Sequence, residues 1–363
     1  MAALTWSRRH YAVTSPREVG AVSPLYLETL LQEEKENWQR AQSPQQLTVE
    51  QATQLIGECA PLARKTVARL ELLSGGLMNT NYRVYFVGSE WSVVLRFYVR
   101  ESTACAREVA LLRLVSSDVP VAEVLHAEPD GIQGSPPFAI LKYVDGILFR
   151  TLRRTKDQAA IAQAATAIGK TLTTIASYKF PRQGLLGTGL EVSPWLIDGP
   201  DTIPRLIDAC LGSEIFRRRV DARWAERIHK FAWEWSEHLS PLDGETSLVH
   251  SDYNAANIMV KHVQDSWRVV AVLDWEFSFS GSTLWDTGNF LRYERKARPL
   301  VEPFFSQGCI DAGIVLPDDW RRIARAADMC SLCEILTRES LPADVVEEIV
   351  KLVRATVEDR DPE

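Results

Sequence analysis

The sequence has no apolar run approaching the roughly 20 residues that a bilayer-spanning helix needs, so no membrane partner is expected. It also lacks a sustained basic run: 41 Lys and Arg stand against 48 Asp and Glu, a net of −7. Nucleic-acid-binding proteins usually carry a basic stripe or face, so a nucleic-acid partner is not expected, whereas a small cationic substrate would suit this charge. Six cysteines scattered from Cys59 to Cys333 do not make the dense framework of a disulfide-stapled secreted domain. Cys330 and Cys333 form a C-x-x-C pair, but no second C-x-x-C or C-x-x-H pair exists to complete four zinc ligands. They read as core thiols on a helix. The N-terminus lacks the apolar core of a signal peptide, and the default expectation is a cytoplasmic protein. Internal repeats and low-complexity tracts are absent.

What is present is ordinary globular material, 46% hydrophobic and 25% charged, which excludes a disordered chain or a coiled-coil rod. A length of 363 residues allows about two domains. The one oddity is a high Trp share, 11 beside 12 Phe and 9 Tyr. Residues 1–22 read as a loose arm and Pro24–Trp38 as a helical pattern. Thr48 begins a further helix, with Gln51 at the capping-box position. From residue 68 the period changes to that of strands, at Leu70–Leu73, Tyr82–Val87 and Ser92–Tyr98. A helix over Ser102–Val115 and a strand over Phe138–Val144 follow, the latter ending at Asp145-Gly146. Beyond it helices are predicted near 157–177, 204–239, 318–338 and 343–357. One β-rich island interrupts them, with Ile258–Val263 and Arg268–Leu273 joined as a hairpin through Gln264-Asp265-Ser266. The expected organisation is an extension over 1–47, a small antiparallel sheet with one long helix over 48–146, and a larger, mainly helical part over 147–363.

The chemistry concentrates around that hairpin. His250-Ser-Asp252-Tyr-Asn-Ala-Ala-Asn257 precedes it and Asp274-Trp275-Glu276 follows it. H-x-D-x-x-x-x-N, then strand, turn, strand and Asp, is the catalytic layout of kinases. Phosphoryl transfer needs a carboxylate to orient the attacking hydroxyl and accept its proton, and oxygen ligands that hold Mg²⁺ against the phosphates. Asp252 suits the first role; Asn257 and Asp274 suit the second, because a short hairpin brings its two ends together. His250 would anchor the loop. A lone H-x-D recurs by chance as a capped turn with a core His; it is the added Asn257 and Asp274 that make the pattern specific. A second signal lies about 150 residues upstream. Arg96, on the third strand, supplies the cation, and Glu108, on the next helix, supplies the carboxylate of the ion pair such a site requires.

With these residues in order, the chain resembles the aminoglycoside phosphotransferase and choline kinase-like family over roughly residues 48–340. The segments that carry the resemblance are Leu73–Val84, Leu248–Val260 and Val272–Phe277. The resemblance implies a bilobal, protein-kinase-like α+β fold, with ATP and Mg²⁺ as cofactors. It implies that Ser74, Gly75, Gly76 and Asn79 belong to a phosphate-covering loop, and that Lys142, Tyr143 and Val144 form a hinge receiving the nucleotide base. It also implies that Asp286 braces the catalytic loop. The chain departs from the family pattern in three places. Ser251 stands where Gly is frequent, which a tight loop accommodates if φ stays negative. Arg96 stands where Lys is frequent, and Gly281-Ser-Thr replaces Gly-Asp-Pro.

The acceptor implied is a hydroxyl on a small molecule. Acids for a polycationic acceptor are Glu276, Asp198, Asp201, Glu334 and Glu339, and Trp195, Trp224, Trp233, Trp235, Trp275 and Trp285 are available for a cage around a quaternary amine. Three function classes compete. The first is an ATP-dependent O-kinase of antibiotic type, or a metabolite kinase for choline, homoserine, a sugar or an amine. The second is a nucleotide-binding pseudokinase with residues 1–47 as a docking arm; the intact Asp252, Asn257 and Asp274 argue against it. The third is a metal hydrolase using His250 and Asp252, for which His262 is the close additional His.

Overall fold

The computed structural model describes residues 45–358 except 74–78, 100, 102, 133, 194–199, 296 and 340. The predicted arm and first helix, Ser74, Gly75, Gly76, Trp195 and Asp198 lie outside the described residues. The first described helix, α1 (Val49–Gly57), begins with the capping box that its sequence predicts: Thr48 Oγ1 accepts from Gln51 N at 3.2 Å, and Thr48 N donates to Gln51 Oε1 at 2.9 Å. Its apolar face, Ala52, Leu55 and Ile56, packs into a core with Val84, Phe86, Val93, Leu95 and Ile140.

That core lies on one face of an antiparallel sheet with strand order β1-β2-β3-β5-β4, made of β1 (Val67–Leu72), β2 (Thr80–Phe86), β3 (Ser92–Phe97), β4 (Val124–Glu128) and β5 (Phe138–Lys142). Strand β2 shows the alternation of a sheet packed on one side, with Thr80, Tyr82, Val84 and Phe86 buried. The long helix α2 (Ala104–Val115) lies between β3 and β4 in sequence and buries Glu108 with its apolar residues. Strand β4 is an addition to the expected sheet. All five of its residues are half-buried, so Val-Leu-His-Ala-Glu carries no alternation to betray it.

The remainder is mainly helical. After β6 (Ile147–Leu148) come α3 (Phe149–Arg154) and α4 (Gln158–Ala176), then the short strands β7 (Gly184–Leu186) and β8 (Val192–Ser193). The helix predicted over 204–239 is four helices: α5 (Thr202–Leu211), α6 (Glu214–Arg219), α7 (Ala222–Glu234) and α8 (Ser236–Leu239). Val220 takes an extended conformation, and the Asp221 side chain caps α7 by accepting from Trp224 N. That local competition with the helix explains the break. Strand β9 (Ser247–Val249) leads to the predicted hairpin, β10 (Ile258–Val263) with β11 (Ser266–Val272), and β6 pairs with β10 on its other side. Strand β12 (Phe279–Gly281) joins β9 and β7. The last helices are α9 (Leu284–Leu291), α10 (Glu302–Asp311), α11 (Trp320–Ile335) and α12 (Ala343–Glu358). Helix α9, absent from the sequence reading, buries Leu284, Asp286, Thr287, Gly288, Asn289 and Phe290, so it shows no amphipathic stripe.

A second core lies among α5, α7, α11 and α12 and contains Cys330 and Cys333, both buried free thiols as expected. Part of the Trp excess is explained at its edge. The Trp224 ring has the guanidiniums of Arg227 at 4.0 Å and Arg354 at 4.7 Å, and Arg322 stacks over Trp235 at 3.8 Å. A third core joins the sheet's helix to α4, where α4 and α10 meet backbone to backbone. A Cβ on Gly169 would lie 2.1 Å from Phe305 O, and one on Gly308 would lie 2.2 Å from Thr166 O. Glycine is required by this close approach. Gly169→Ala is therefore expected to destabilise the chain by about 1–3 kcal/mol through overpacking, read as a lower Tm with the same cooperative transition. An unchanged Tm would show that the two helices separate freely.

Candidate active site

The segment before the hairpin is held almost wholly through its backbone. His250 N and Ser251 N donate to the two oxygens of Asp286, at 2.7 and 2.8 Å. The His250 ring is completely buried, with Nε2 at 2.9 Å from Leu273 O and Nδ1 at 3.2 Å from Asp252 N. A carbonyl accepts and an amide donates, so these partners specify a neutral imidazole with its proton on Nε2. His250 thus ties the loop to Leu273, directly after β11. Ser251 has φ +71, a left-handed conformation, contrary to the expectation that φ stays negative. The Asp286 carboxylate that receives two consecutive amides is what holds a non-glycine residue there.

The hairpin brings its ends together as expected. Ile258 pairs with Val272, and Leu273 N donates to Asn257 O at 2.8 Å. Asn257 Nδ2 donates to the Asp252 carbonyl at 2.9 Å and to its Oδ2 at 2.7 Å, and Asn254 Nδ2 donates to its Oδ1. Asp252 is therefore a half-buried carboxylate pinned by two amides. His262 stands at the far end of the hairpin opposite Trp267, roughly 13 Å along the strand from Ile258, so the metal-hydrolase reading loses its additional His.

Across from this loop lies a charge cluster. Arg96 Nε is 3.0 Å from Glu108 Oε2, and Arg96 Nη2 is 2.6 Å from Asp274 Oδ1. Glu108 Oε1 in turn accepts from Trp275 N at 3.2 Å. Glu276 is buried and accepts from Asn79 Nδ2 at 3.1 Å, while its carbonyl accepts from Arg107 Nε at 3.2 Å. Two acids thus share one guanidinium, and Glu276 adds its charge nearby. Burial, with the Asp274 charge adding to it, pushes the Glu276 carboxyl up to about 7, and burial also raises Glu108. Arg107 was missed as a site residue, although its adjacency to Glu108 was an available signal, and Trp275, offered for a cage, instead gives its backbone N–H to Glu108. Trp275 is fully buried, edge-on to His250 at 4.6 Å.

The other candidates fall into two groups. Lys142, Tyr143 and Val144 follow β5, with Lys142 N donating to Glu123 O and Tyr143 N to Ser92 O. Asp201 and Glu334 have their own surroundings in the helical part. The Asp243 carboxylate accepts from Asp201 N and Thr202 N, and Glu334 pairs with Arg338 at 2.7 Å. Trp233 donates to Asp208, and Trp285 stands edge-on to Phe279. Glu339 contributes its carbonyl to Arg219. Among the described residues, no group of three or more His, Cys, Asp or Glu stands ready to hold a metal by itself.

A family profile described as phosphotransferase enzyme family matches residues 69–325. Among curated proteins, acyl-CoA dehydrogenase family member 11 of Gallus gallus is 29% identical over 181 residues, covering 48% of this chain and 21% of that protein. Acyl-CoA dehydrogenase family member 10 of Mus musculus is 24% identical over 284 residues, covering 71% of this chain and 25% of that protein. The chain therefore spans about a quarter or less of the length of these relatives. Among solved structures, a thermostable mutant of an aminoglycoside phosphotransferase in ternary complex with ADP and hygromycin B is similar with a TM-score of 0.60 and 17% identity, covering 85% of this chain and 98% of that one. The GDP complex of wild-type aminoglycoside 2'-phosphotransferase-IIIa is similar with a TM-score of 0.63 and 14% identity, covering 86% and 99%. These are proteins of the kinase-like phosphotransferase fold, and this chain shares it. No described helix is long and apolar enough to cross a membrane.

One expectation follows from the loop brace. Burial pushes the Asp286 carboxyl up to about 7 against the pull of the two amides, with Asp252 adding to the rise. Its unfolded value is about 3.9, so the folded chain retains a proton that the unfolded chain has released. The stability this contributes is complete below about pH 4 and is lost as pH rises through about 7. The Tm advantage of wild type over Asp286→Asn should shrink between pH 5 and pH 8. An advantage that grows over that range would contradict the assignment.

Proposed function

The chain belongs to the phosphotransferase enzyme family, and on that premise we propose that it transfers the γ-phosphate of ATP to a hydroxyl of a small molecule, with Asp252 as the base. Family and fold support a small-molecule kinase; the activity, the residue roles, the metal and the acceptor are the proposal. The observation that carries it is one continuous network in which Asn257 bonds both the Asp252 carboxylate and the residue preceding Asp274. In this reading the base and metal ligands come from the two ends of the hairpin.

The donor set suits Mg²⁺. Asn257 and Asp274 offer hard oxygens, and one acid plus one amide matches an ion that completes its shell with phosphate oxygens. Asp274 shares its guanidinium partner with Glu108, so a divalent cation would offset carboxylate charge that Arg96 alone does not. Bound there, Mg²⁺ would neutralise the β- and γ-phosphate oxygens. Asp252 orients the acceptor hydroxyl and takes its proton as the oxygen attacks the γ-phosphorus in line. The bond to the β–γ bridging oxygen breaks, and ADP leaves without a covalent enzyme intermediate. Arg96, permanently charged, faces the phosphates while Glu108 orients it. Asn79 acts as a tether from the phosphate-covering loop to Glu276. Of the hinge residues, Lys142 and Tyr143 have their amides engaged, which favours Val144 N–H for the base. In this reading residues 48–146 bind nucleotide and residues 147–363 supply the catalytic loop and acceptor site.

Two solved structures similar to this chain are complexes with hygromycin B and with kanamycin, which makes an aminoglycoside one acceptor class to test. The burial of Glu276 under Asn79 and the Arg338 partner of Glu334 favour structural roles for these two acids. A metabolite kinase is therefore the competing reading.

Asp252→Ala is expected to lower turnover by about 10²–10⁴-fold while leaving the ATP–Mg²⁺ thermal shift intact; undiminished turnover would overturn the base assignment. Asp274→Ala should instead lose the Mg²⁺-dependent part of the ATP-induced shift, and a full shift in that variant would refute its metal role. The acceptor is found by measuring ADP release across aminoglycosides, macrolides, choline, homoserine, sugars and, given the names of the curated relatives, a hydroxylated acyl-CoA.

A further inference from the structure

Helix α9 places Asp286, Asn289 and, at its C-cap, Arg292 at intervals of three residues, which puts them on one face. Each does something to the loop that carries Asp252. Asp286 takes the amides of His250 and Ser251. The Asn289 amide is oriented by its neighbours: Nδ2 donates to Tyr253 O at 3.2 Å and Oδ1 accepts from Arg292 Nη2 at 2.9 Å. The residues on both sides of Asp252 are thus gripped by one helix face.

Arg292 makes the second grip directional. Its Nε donates to Asp328 Oδ2 at 2.9 Å and its Nη2 to Asp328 Oδ1 at 2.6 Å, a bidentate pair to helix α11. Nη2 carries two hydrogens; one goes to Asp328 and the other to Asn289. The guanidinium therefore offers Asn289 only a donor, which forces the amide nitrogen toward the Tyr253 carbonyl. The pair is enclosed, with 16% and 6% of the two side chains exposed. Burial works against the Arg292 charge, yet Asp328, and Asp252 more weakly, hold its pKa above the ordinary value.

We propose that Arg292 is a positioning residue for the phosphotransfer step, fixing the Asn289 amide that holds Tyr253 and so the aim of the neighbouring Asp252. The proposal rests on the reading of Asp252 as the base. It assigns Arg292 no contact with nucleotide or acceptor. Its planar fork serves Asp328 and Asn289 together, which a lysine ammonium does not reproduce.

The test compares Arg292→Met, Arg292→Lys, Asn289→Leu and the Asn289→Leu/Arg292→Met double variant with wild type. ADP release is followed at saturating Mg·ATP, with water and with the best acceptor of the panel above. Each variant should lose kcat by about ten- to a hundredfold with the KM for ATP unchanged within about twofold, the size expected of a base displaced by an ångström. The double variant should be no slower than Asn289→Leu, because Arg292 acts through that amide. Asn289→Leu leaves the Arg292–Asp328 pair intact, so it answers the question even if Arg292→Met fails to fold. Wild-type kcat in Asn289→Leu, full rescue by Arg292→Lys, additive losses in the double variant, or an ATP KM that rises in step with the fall in kcat would each overturn the proposal. Asp252→Ala run alongside separates the two failures: if it is inactive while Asn289→Leu is normal, only the role of Arg292 falls.

Discussion

Everything at this site depends on one guanidinium. Arg96 reaches from the sheet to Glu108 on the long helix and to Asp274 after the hairpin, with contacts of 3.0 and 2.6 Å. Two carboxylates placed that close to a third, Glu276, repel one another strongly in a buried setting. A removable charge would make such a cluster fragile, whereas arginine keeps its proton at every relevant pH and presents a planar fork to two acids at once. The substitution of Arg for the more frequent Lys is thus coherent with the geometry: the side chain spans two partners, which a single ammonium does with less directional control.

The second constraint is the satisfaction of backbone groups around the loop that carries Asp252. The turn at Ser251 leaves two successive amides pointing inward, and buried amides without partners cost free energy of the order of a hydrogen bond each. Asp286 meets both. The neutral His250 then links the loop to Leu273, and Asn257 closes the ring to Asp252. The amides of His250 and Ser251 and the His250 ring find partners on other elements, while Asn254 and Asn257 bind Asp252 within the loop, so the loop is specified by its surroundings as well as by its own sequence.

This division explains which parts of the molecule were legible beforehand. Asp252, Asn257, Asp274, Arg96 and Glu108 could be singled out because their chemistry imposes fixed residue types at fixed spacings. The capping box at Thr48 and the hairpin at Gln264-Asp265 were legible because they are local. Strand β4 and helix α9 were not: the first is half-buried at every position and the second is buried nearly all round, so neither leaves a periodic trace. The break at Val220-Asp221 was hidden in a run of good helix formers, where a single side-chain cap decided the outcome. The left-handed Ser251 and the buried Glu276 were set by partners far away in sequence, Asp286 and Asn79, and no window around either residue contains them.

The bridge from Arg96 to Asp274 also has a consequence for what the site admits. An anion arriving by itself meets a guanidinium whose charge is already spent on two carboxylates, and drawing it away would strand Asp274 without a counter-ion. On the proposed reading, a nucleotide carrying its own divalent cation would leave neither group stranded, because Asp274 would hold the cation while Arg96 turned to the phosphates. On that reading the contact between Arg96 and Asp274 would disfavour stray phosphate, sulfate and uncomplexed nucleotide, and the ion pair would act as a gatekeeper for a metal-loaded co-substrate.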